Sequence, residues 1–445
     1  MKRLLLLTRL ALMLILASVL PVSASDEQLT QRIADTVRAQ FVDADVAAKT
    51  ADGFLAKANA GAYEGTAEPE TLARSMTADL RALSGDNHIG VVYDPEAVAR
   101  YRARAQAASS PDARERNTEH KARRAKEAAL DNYGLRAVEV MKGGVGYLRI
   151  DEFDGHVTES ETMLATVMNM LASSGAIILD LRHNVGGNSR ILPTFLGYFI
   201  GPGEVQFGTS TERWNDTVTP LKTRADIQGA RHWDKPLYIL TSGMTFSLGE
   251  HVTYHLKAFD RAILVGEHTY GGGNGWDPVV LNDDFYLRIP RISFTNTRTG
   301  TLFREGEGIS PDINVPAEYA KTTAYHEALL ALRETVEDAD MVGEIDWALN
   351  IAASALEGGP EDTSALPFIG SFGPYAFRGD EHALWLSYNG HPYMLLRTLD
   401  GRVYLDDRSV PRQFTFTGAT LKEAKSLKVT PYGGAPADFE RDGGR

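Results

Sequence analysis

The sequence predicts an α/β core, a mostly parallel sheet with crossover helices, set between an N-terminal helical region and a small C-terminal β domain. Three observations carry this reading. From Gly144 onward, short apolar strands alternate with amphipathic helices, the pattern of right-handed β-α-β units. Ahead of them, residues 26 to about 84 repeat apolar positions at helical spacing. Behind them, residues 366 to about 431 carry short alternating strands separated by turns such as Asn389-Gly390 and Asp400-Gly401. With 445 residues, 43% of them hydrophobic, the chain can bury two or three ordinary cores, which excludes a disordered, collagen-like or disulfide-stapled protein.

The elements follow in order. Met1-Lys2-Arg3 opens a basic stretch that extends to Arg9, Leu10 to Leu20 is apolar, and Val22-Ser23-Ala24 offers small residues for cleavage. Residues 1–24 therefore read as a secretory signal, because an apolar run this short does not span a bilayer. No later stretch is long and apolar enough to do so, and the mature protein is expected to be extracytoplasmic, periplasmic or secreted. In the helical region, residues 25–134, Leu29, Ile33, Val37 and Phe41 mark one helix. Pro69-Glu70-Thr71 starts another through Leu72, Met76, Leu80 and Leu83, and a strand from Ile89 to Tyr93 follows. Between Arg100 and Lys126 stand nine basic and three acidic residues. A nucleic-acid arm is one reading of that stretch. A solvated helical insertion fits better, since Tyr101 is its one aromatic and the whole chain carries a net charge of −13.

The core, residues 135–318, begins with a strand at Gly146 to Ile150 and a helix bearing Leu164, Val167, Met168 and Leu171. Strands at Ala176 to Leu181, Pro236 to Thr241 and Ala262 to Gly266 then alternate with helices at Ile191 to Ile200 and Ser247 to Phe259. Beyond Pro311-Asp312, helices over Ala317 to Glu337 and Glu344 to Leu356 lead to a break at Gly358-Gly359-Pro360, so residues 319–362 read as a connector. The β domain, residues 363–431, shows strands at Ala383 to Tyr388, Tyr393 to Thr398 and Gln413 to Thr417. The tail, residues 432–445, is rich in glycine, proline and charge and is expected to be disordered.

Chemistry is expected where strands end and helices begin. Ser247 joins a buried strand to an amphipathic helix, where unpaired amides and the helix dipole favour developing negative charge. The same position also suits a serine that only caps the helix. Asp180-Leu181-Arg182-His183-Asn184-Val185-Gly186-Gly187 leaves a second buried strand through a glycine pair that can turn its amides toward a ligand, or serve as a turn. With no cysteine in the chain, thiolate metal sites, iron–sulfur clusters and cysteine nucleophiles are excluded. His251 and His255 stand four apart like two metal ligands. Glu250 precedes them instead of following the first, however, and no third ligand is evident, so no metal is expected. Gly271 to Gly273 and Gly275 follow a strand without opening a clear helix, which argues against a phosphate loop. No cofactor is implied.

Four segments follow in order: Asp180-Leu181-Arg182-x-Asn184-x-Gly186-Gly187; Ser247-x-x-Glu250; Gly266-Glu267-x-Thr269-x-Gly271-Gly272; and Gly308-Ile309-x-Pro311-Asp312. Together they resemble the tail-specific, or C-terminal-processing, serine peptidases. The resemblance covers roughly residues 30 to 335 and implies a crotonase-like/ClpP-like core. It also implies Ser247 as nucleophile, with an amide of Gly186 or Gly187 and that of Leu248 as oxyanion hole. In the processing branch a lysine stands twenty-five residues after the serine as base; here that position is Gly272. No PDZ insertion is recognisable. Leu83-x-Gly85-Asp86-Asn87-His88-Ile89 is instead similar to the branch containing the tricorn protease core and the repeats of interphotoreceptor retinoid-binding protein. That similarity implies His88 as base and Glu305 as the acidic member, with Asn87 where tricorn has an assisting serine; Glu307 and Glu250 are the other carboxylates at hand. A serine hydroxyl needs such a base, and neutral histidine, with an ordinary pKa of about 6.5, can take its proton. The expected partner is a peptide or protein substrate and not a nucleic acid. The rival readings are a catalytically silent module that binds an apolar ligand or peptide, and a metallohydrolase using His251 and His255.

Overall fold

The computed structural model describes residues 24–66, 68–106, 123, 125–357, 369–379, 384–388, 391–397, 402–405, 412–417, 425–431 and 435–442. The signal segment up to residue 23, most of the basic insertion, the break at 358–360 and the turns at 389–390 and 400–401 lie outside the described residues. Along the chain the helices are α1 (Ala24–Gln40), α2 (Ala44–Asn59), α3 (Pro69–Ser84), α4 (Pro95–Gln106), α5 (Val157–Met170), α6 (Leu192–Gly197), α7 (Leu248–Ala258), α8 (Ala317–Thr335) and α9 (Ala339–Glu357). Strands β1 (Gly90–Tyr93), β2 (Leu135–Met141), β3 (Val145–Ile150), β4 (Ala176–Asp180), β5 (Gln206–Glu212), β6 (Thr217–Lys222), β7 (Leu237–Thr241), β8 (Ile263–Gly266), β9 (Gly275–Val280), β10 (Phe285–Asn296) and β11 (Ile313–Asn314) precede a C-terminal series. That series is β12 (Ile369–Phe372), β13 (Tyr375–Gly379), β14 (Leu384–Tyr388), β15 (His391–Arg397), β16 (Arg402–Leu405), β17 (Arg412–Thr417), β18 (Ser426–Pro431) and β19 (Ala437–Glu440). No helix among the described residues is long and apolar enough to cross a membrane.

The chain divides into two compact units, Met1–Arg114 with Trp276–Arg291, and Glu115–Gly275 with Ile292–Arg445. In the first, α1 and α2 pack their apolar stripes, Ile33 and Val37 against Ala51 and Phe54, with Met76 and Leu80 of α3 completing the core. Asp43 caps α2 by accepting the amides of Asp45 and Val46, both at 2.9 Å. The helices cover β1 and its antiparallel partner in β10, where Gly90 faces Arg288 in register.

The second unit is organised by a six-stranded sheet in the order β11-β8-β7-β4-β3-β2. Every neighbouring pair is parallel except the edge pair β2 and β3. Both faces are covered, so the central strands read as unbroken apolar runs in sequence. Leu148, Ile177, Leu179 and Ile239 pack toward Leu164 of α5, Phe195 of α6 and Leu256 of α7. Val145, Tyr147, Ile178 and Leu240 point the other way, to Ala320, Ala324, Ala328 and Leu329 of α8. The alanine row at every fourth position lets α8 lie close to the sheet. Strands β4, β7 and β8 end side by side, which gathers the loops 181–187, 242–247 and 267–274 at one edge.

The C-terminal strands form an eight-stranded antiparallel meander, β12 through β19 in chain order, around Phe372, Phe377, Leu386, Phe414 and Leu427. The expected disorder of the tail is corrected here for residues 437–440, which pair with β18 as β19. Backbone ladder bonds and one aromatic contact, Phe439 on Tyr375 at 5.2 Å between centroids, supply what composition did not advertise. The Asp442 amide donates to Ser371 O at 2.8 Å, so the last strand returns beside the first.

Candidate active site

Ser247 is the N-cap of α7 and adopts φ 53°, ψ −120°. A positive φ costs a non-glycine residue about 1–3 kcal/mol and persists only where the surroundings enforce it. They do so from both sides. The Thr245 hydroxyl donates to Leu181 O (2.8 Å) and the Phe246 amide to Asn184 O (2.9 Å). The Tyr270 amide donates to Thr245 O (3.0 Å), and the Ser247 amide to Glu250 Oε2 (3.1 Å). A serine on a sharp strand-to-helix turn under strain has the geometry of a nucleophile elbow.

The 181–187 loop is built around Asn184. Its side-chain NH2 donates to Ile150 O (3.0 Å) and its side-chain oxygen accepts the Gly186 amide (2.9 Å). Gly186 has φ 101°, and a β-carbon there would stand 2.7 Å from Ser247 Cβ, so the position needs glycine on two counts. The bond to Asn184 corrects one expectation: the Gly186 amide is already committed and does not face a ligand. Among the described residues the amides of Gly187, which is exposed, and of Leu248, the first residue of α7, donate to no acceptor. Val185, Met244 and Tyr270 are all exposed and stand on the three adjoining loops, which gives this edge an apolar rim.

Glu250 is fully buried one turn into α7 and gathers four donors. Oε1 accepts the Thr269 hydroxyl (2.5 Å) and the Gly271 amide (2.7 Å), and Oε2 the amides of Gly272 (2.5 Å) and Ser247 (3.1 Å). Burial pushes its carboxyl above the usual range, and these four bonds work against that rise. Glu305, half-buried, takes the next two amides in the chain, those of Gly273 (2.8 Å) and Asn274 (3.1 Å), on Oε2. Four consecutive amides, 271 to 274, thus end on two carboxylates. Gly272 contributes a backbone amide where a lysine would have supplied a base.

Asp180 and Arg182 fix the end of β4. Asp180 is fully buried and accepts the Tyr147 hydroxyl (2.7 Å) and a two-pronged contact from Arg182 (2.9 and 2.6 Å), while Arg182 Nη1 reaches Ala317 O (2.6 Å). Burial alone would raise the Asp180 carboxyl; the Arg182 and Tyr147 bonds outweigh it and hold it below the usual carboxylate range.

Ser247, Leu248, Gly186, Gly187 and Glu305 all belong to the second unit; His88 belongs to the first. The His88 ring is buried, its amide donates to Asp86 Oδ1 (2.7 Å), and its Nδ1 lies 3.6 Å from the same oxygen. Asp86 had no assigned role in the sequence, although its place two residues before the histidine was the available signal. The sequence showed Glu250 as a motif residue and as one of the other carboxylates at hand, but not as the acceptor of four donors. His251 and His255 lie in an aromatic core. His255 meets Phe207 edge-on at 4.8 Å, and His251 meets Phe294 at 4.5 Å. Asn296 Nδ2 donates to His255 Nδ1 (3.0 Å). Burial, then His251, push His255 well below the ordinary histidine pKa, and among the described residues no third ligating group joins the pair.

Residues 144–315 match the family model described as Peptidase family S41, and residues 14–126 match the model described as the N-terminal domain of Peptidase_S41 in eukaryotic IRBP. The chain is 26% identical over 178 residues to the carboxy-terminal-processing protease of Bartonella bacilliformis, which covers 39% of each protein. It is 27% identical over 189 residues to the chloroplastic carboxyl-terminal-processing peptidase 1 of Arabidopsis thaliana, covering 42% of this chain and 37% of that one. These matches span about two fifths of the length of the curated relatives. Among solved structures, a lipoprotein from Streptococcus agalactiae is 15% identical with a TM-score of 0.46, covering 69% of this chain and 98% of that one.

Proposed function

Because the chain belongs to peptidase family S41, we propose that it is a serine peptidase that hydrolyses peptide or protein substrates through an acyl-enzyme on Ser247. The observation that carries this reading is the strained turn at Ser247, which a helix cap alone does not require. His88 takes the hydroxyl proton as Ser247 attacks the scissile carbonyl and returns it to the leaving amine. Glu305 orients the base, and the amides of Gly187 and Leu248 receive the oxyanion. Glu250 holds the turn and touches no reacting atom. Residues 1–24 direct export, so the enzyme works outside the cytoplasm. We assign residues 135–318 to a crotonase-like/ClpP-like core, 319–362 to a connector, and 363 through β19 to the β domain.

A serine-reactive fluorophosphonate tests this reading against that of a silent binding module. Covalent labelling at Ser247 is expected; an unlabelled protein that retains its ligand would identify a carrier. For the base, kcat/KM should rise with pH through one group of pKa about 6–7 and then level off. His88→Ala should remove that inflection and most of kcat. Survival of activity with a much higher inflection would point to a lysine elsewhere.

A methyl group at Gly186 would push into Ser247 and strain a backbone at φ 101°. Gly186→Ala is therefore expected to lower kcat about 100-fold or more by displacing the serine. Steady-state kinetics beside a thermal melt measure this, and an alanine variant with wild-type kcat would show that the turn tolerates the shift.

A further inference from the structure

Asn184 is fully buried where the 181–187 loop meets the serine turn, and every residue it touches belongs to the second unit. Its side chain braces its own loop: Nδ2 donates to Ile150 O at the end of β3 (3.0 Å), and Oδ1 accepts the Gly186 amide (2.9 Å). Its main chain braces the other, because Asn184 O accepts the Phe246 amide (2.9 Å), one residue before the serine. The fit is close on both sides. A β-carbon on Gly249, in the first turn of α7, would stand 2.5 Å from Asn184 Oδ1, and one on Gly186 would stand 3.1 Å from Leu248 N.

The peptide that follows decides which atom the loop presents. The Phe153 amide donates to Gly186 O (2.8 Å), and Phe153 O accepts the Asn188 amide (2.7 Å). The 186–187 peptide is trans, so its N–H points opposite to its C=O, and the Gly187 amide is aimed away from Phe153. Two glycines in succession, at φ 101° and 134°, give this peptide room to flip, and a flip would present the Gly186 carbonyl in place of the Gly187 amide. Asn184 Oδ1 grips the peptide immediately before it.

We propose that Asn184 is a positioning residue that locks the 186–187 peptide with its amide outward and holds that amide in register with Leu248 N; its use rests on the peptidase reading above. The full chain is labelled with a fluorophosphonate. Labelling joins Ser247 Oγ to phosphorus, expels fluoride and leaves the phosphoryl oxygen in the oxyanion's place, so its rate reads the hole. Asn184→Ala should label about 100-fold or more slower than wild type. Its kcat on a fluorogenic peptide should fall by a similar factor, with KM changed less than about threefold. Asn184→Asp keeps an acceptor for the Gly186 amide and loses the donation to Ile150 O, so it should label about tenfold slower than wild type, between the two. Should the alanine variant fail to melt cooperatively, the aspartate variant carries the test, and its loss in kcat must come without a matching change in KM. Wild-type labelling rates in the variants, or a KM that rises as far as kcat falls, overturn the role. An unlabelled wild type would sink the peptidase reading and this role with it, whereas a labelled wild type with equally labelled variants removes Asn184 alone.

Discussion

Ser247→Ala is expected to lower kcat by about 10⁴-fold or more while leaving the fold intact. Loss of the hydroxyl removes the attacking atom, and what remains is the oxyanion hole with whatever binding the site supplies. The structural cost is bounded, because removing even a good cap costs about 0.5–2 kcal/mol. Alanine keeps the strained φ of 53°, so the substitution does not relax the turn. Ser247→Gly does relax it, and the glycine variant should be as inactive as the alanine variant yet melt at a higher temperature. A purified alanine variant that cleaves peptide at the wild-type rate would remove Ser247 from the mechanism.

Glu250→Ala should be the most destabilising single change at this edge, by about 3 kcal/mol or more. It leaves the Thr269 hydroxyl and the amides of Gly271, Gly272 and Ser247 without the acceptor they share. Each orphaned buried donor costs about 1–3 kcal/mol, with partial relief where water can enter. Glu250→Gln preserves shape but turns an NH2 group toward donors, so it should recover only part of the loss. Urea denaturation of the three proteins measures the order. Fluorophosphonate labelling should slow in parallel, since the Ser247 amide is one of the four donors. Equal midpoints would show that the glycine loop stands without this carboxylate.

The parts of the fold that sequence revealed are those whose physics is local or fully apolar. Strands β4 and β7 read correctly because both faces are buried, and α7 because Leu248, Val252 and Leu256 recur at helical spacing. Strands β5 and β6 escaped notice because most of their residues are polar and, in β6, exposed; backbone pairing across a hairpin, from Gln206 with Lys222 to Glu212 with Thr217, holds them. At the site, the serine and the glycine pair were legible from their place between strand and helix. The engagement of the Gly186 amide by Asn184 was not, because a side chain bonding two residues ahead leaves the same letters as a free turn. His251 and His255 show the converse: four-residue spacing on a helix face suits a metal pair and a core pair equally, and only the surrounding Phe207, Phe294 and Phe303 decide.

A run of three glycines is ordinarily where a chain breathes first. Between Tyr270 and Asn274 the opposite holds, for opening this stretch requires Glu250 and Glu305 each to surrender two amides. Hydrogen exchange there should be slow for a segment outside any helix or strand, and amides 271 to 274 should exchange as a block. The wall beside the serine is then effectively static over a turnover. Adaptation at this edge is then left to the exposed side chains of Val185 and Met244, on the 181–187 and 242–247 loops, which are free to change rotamer.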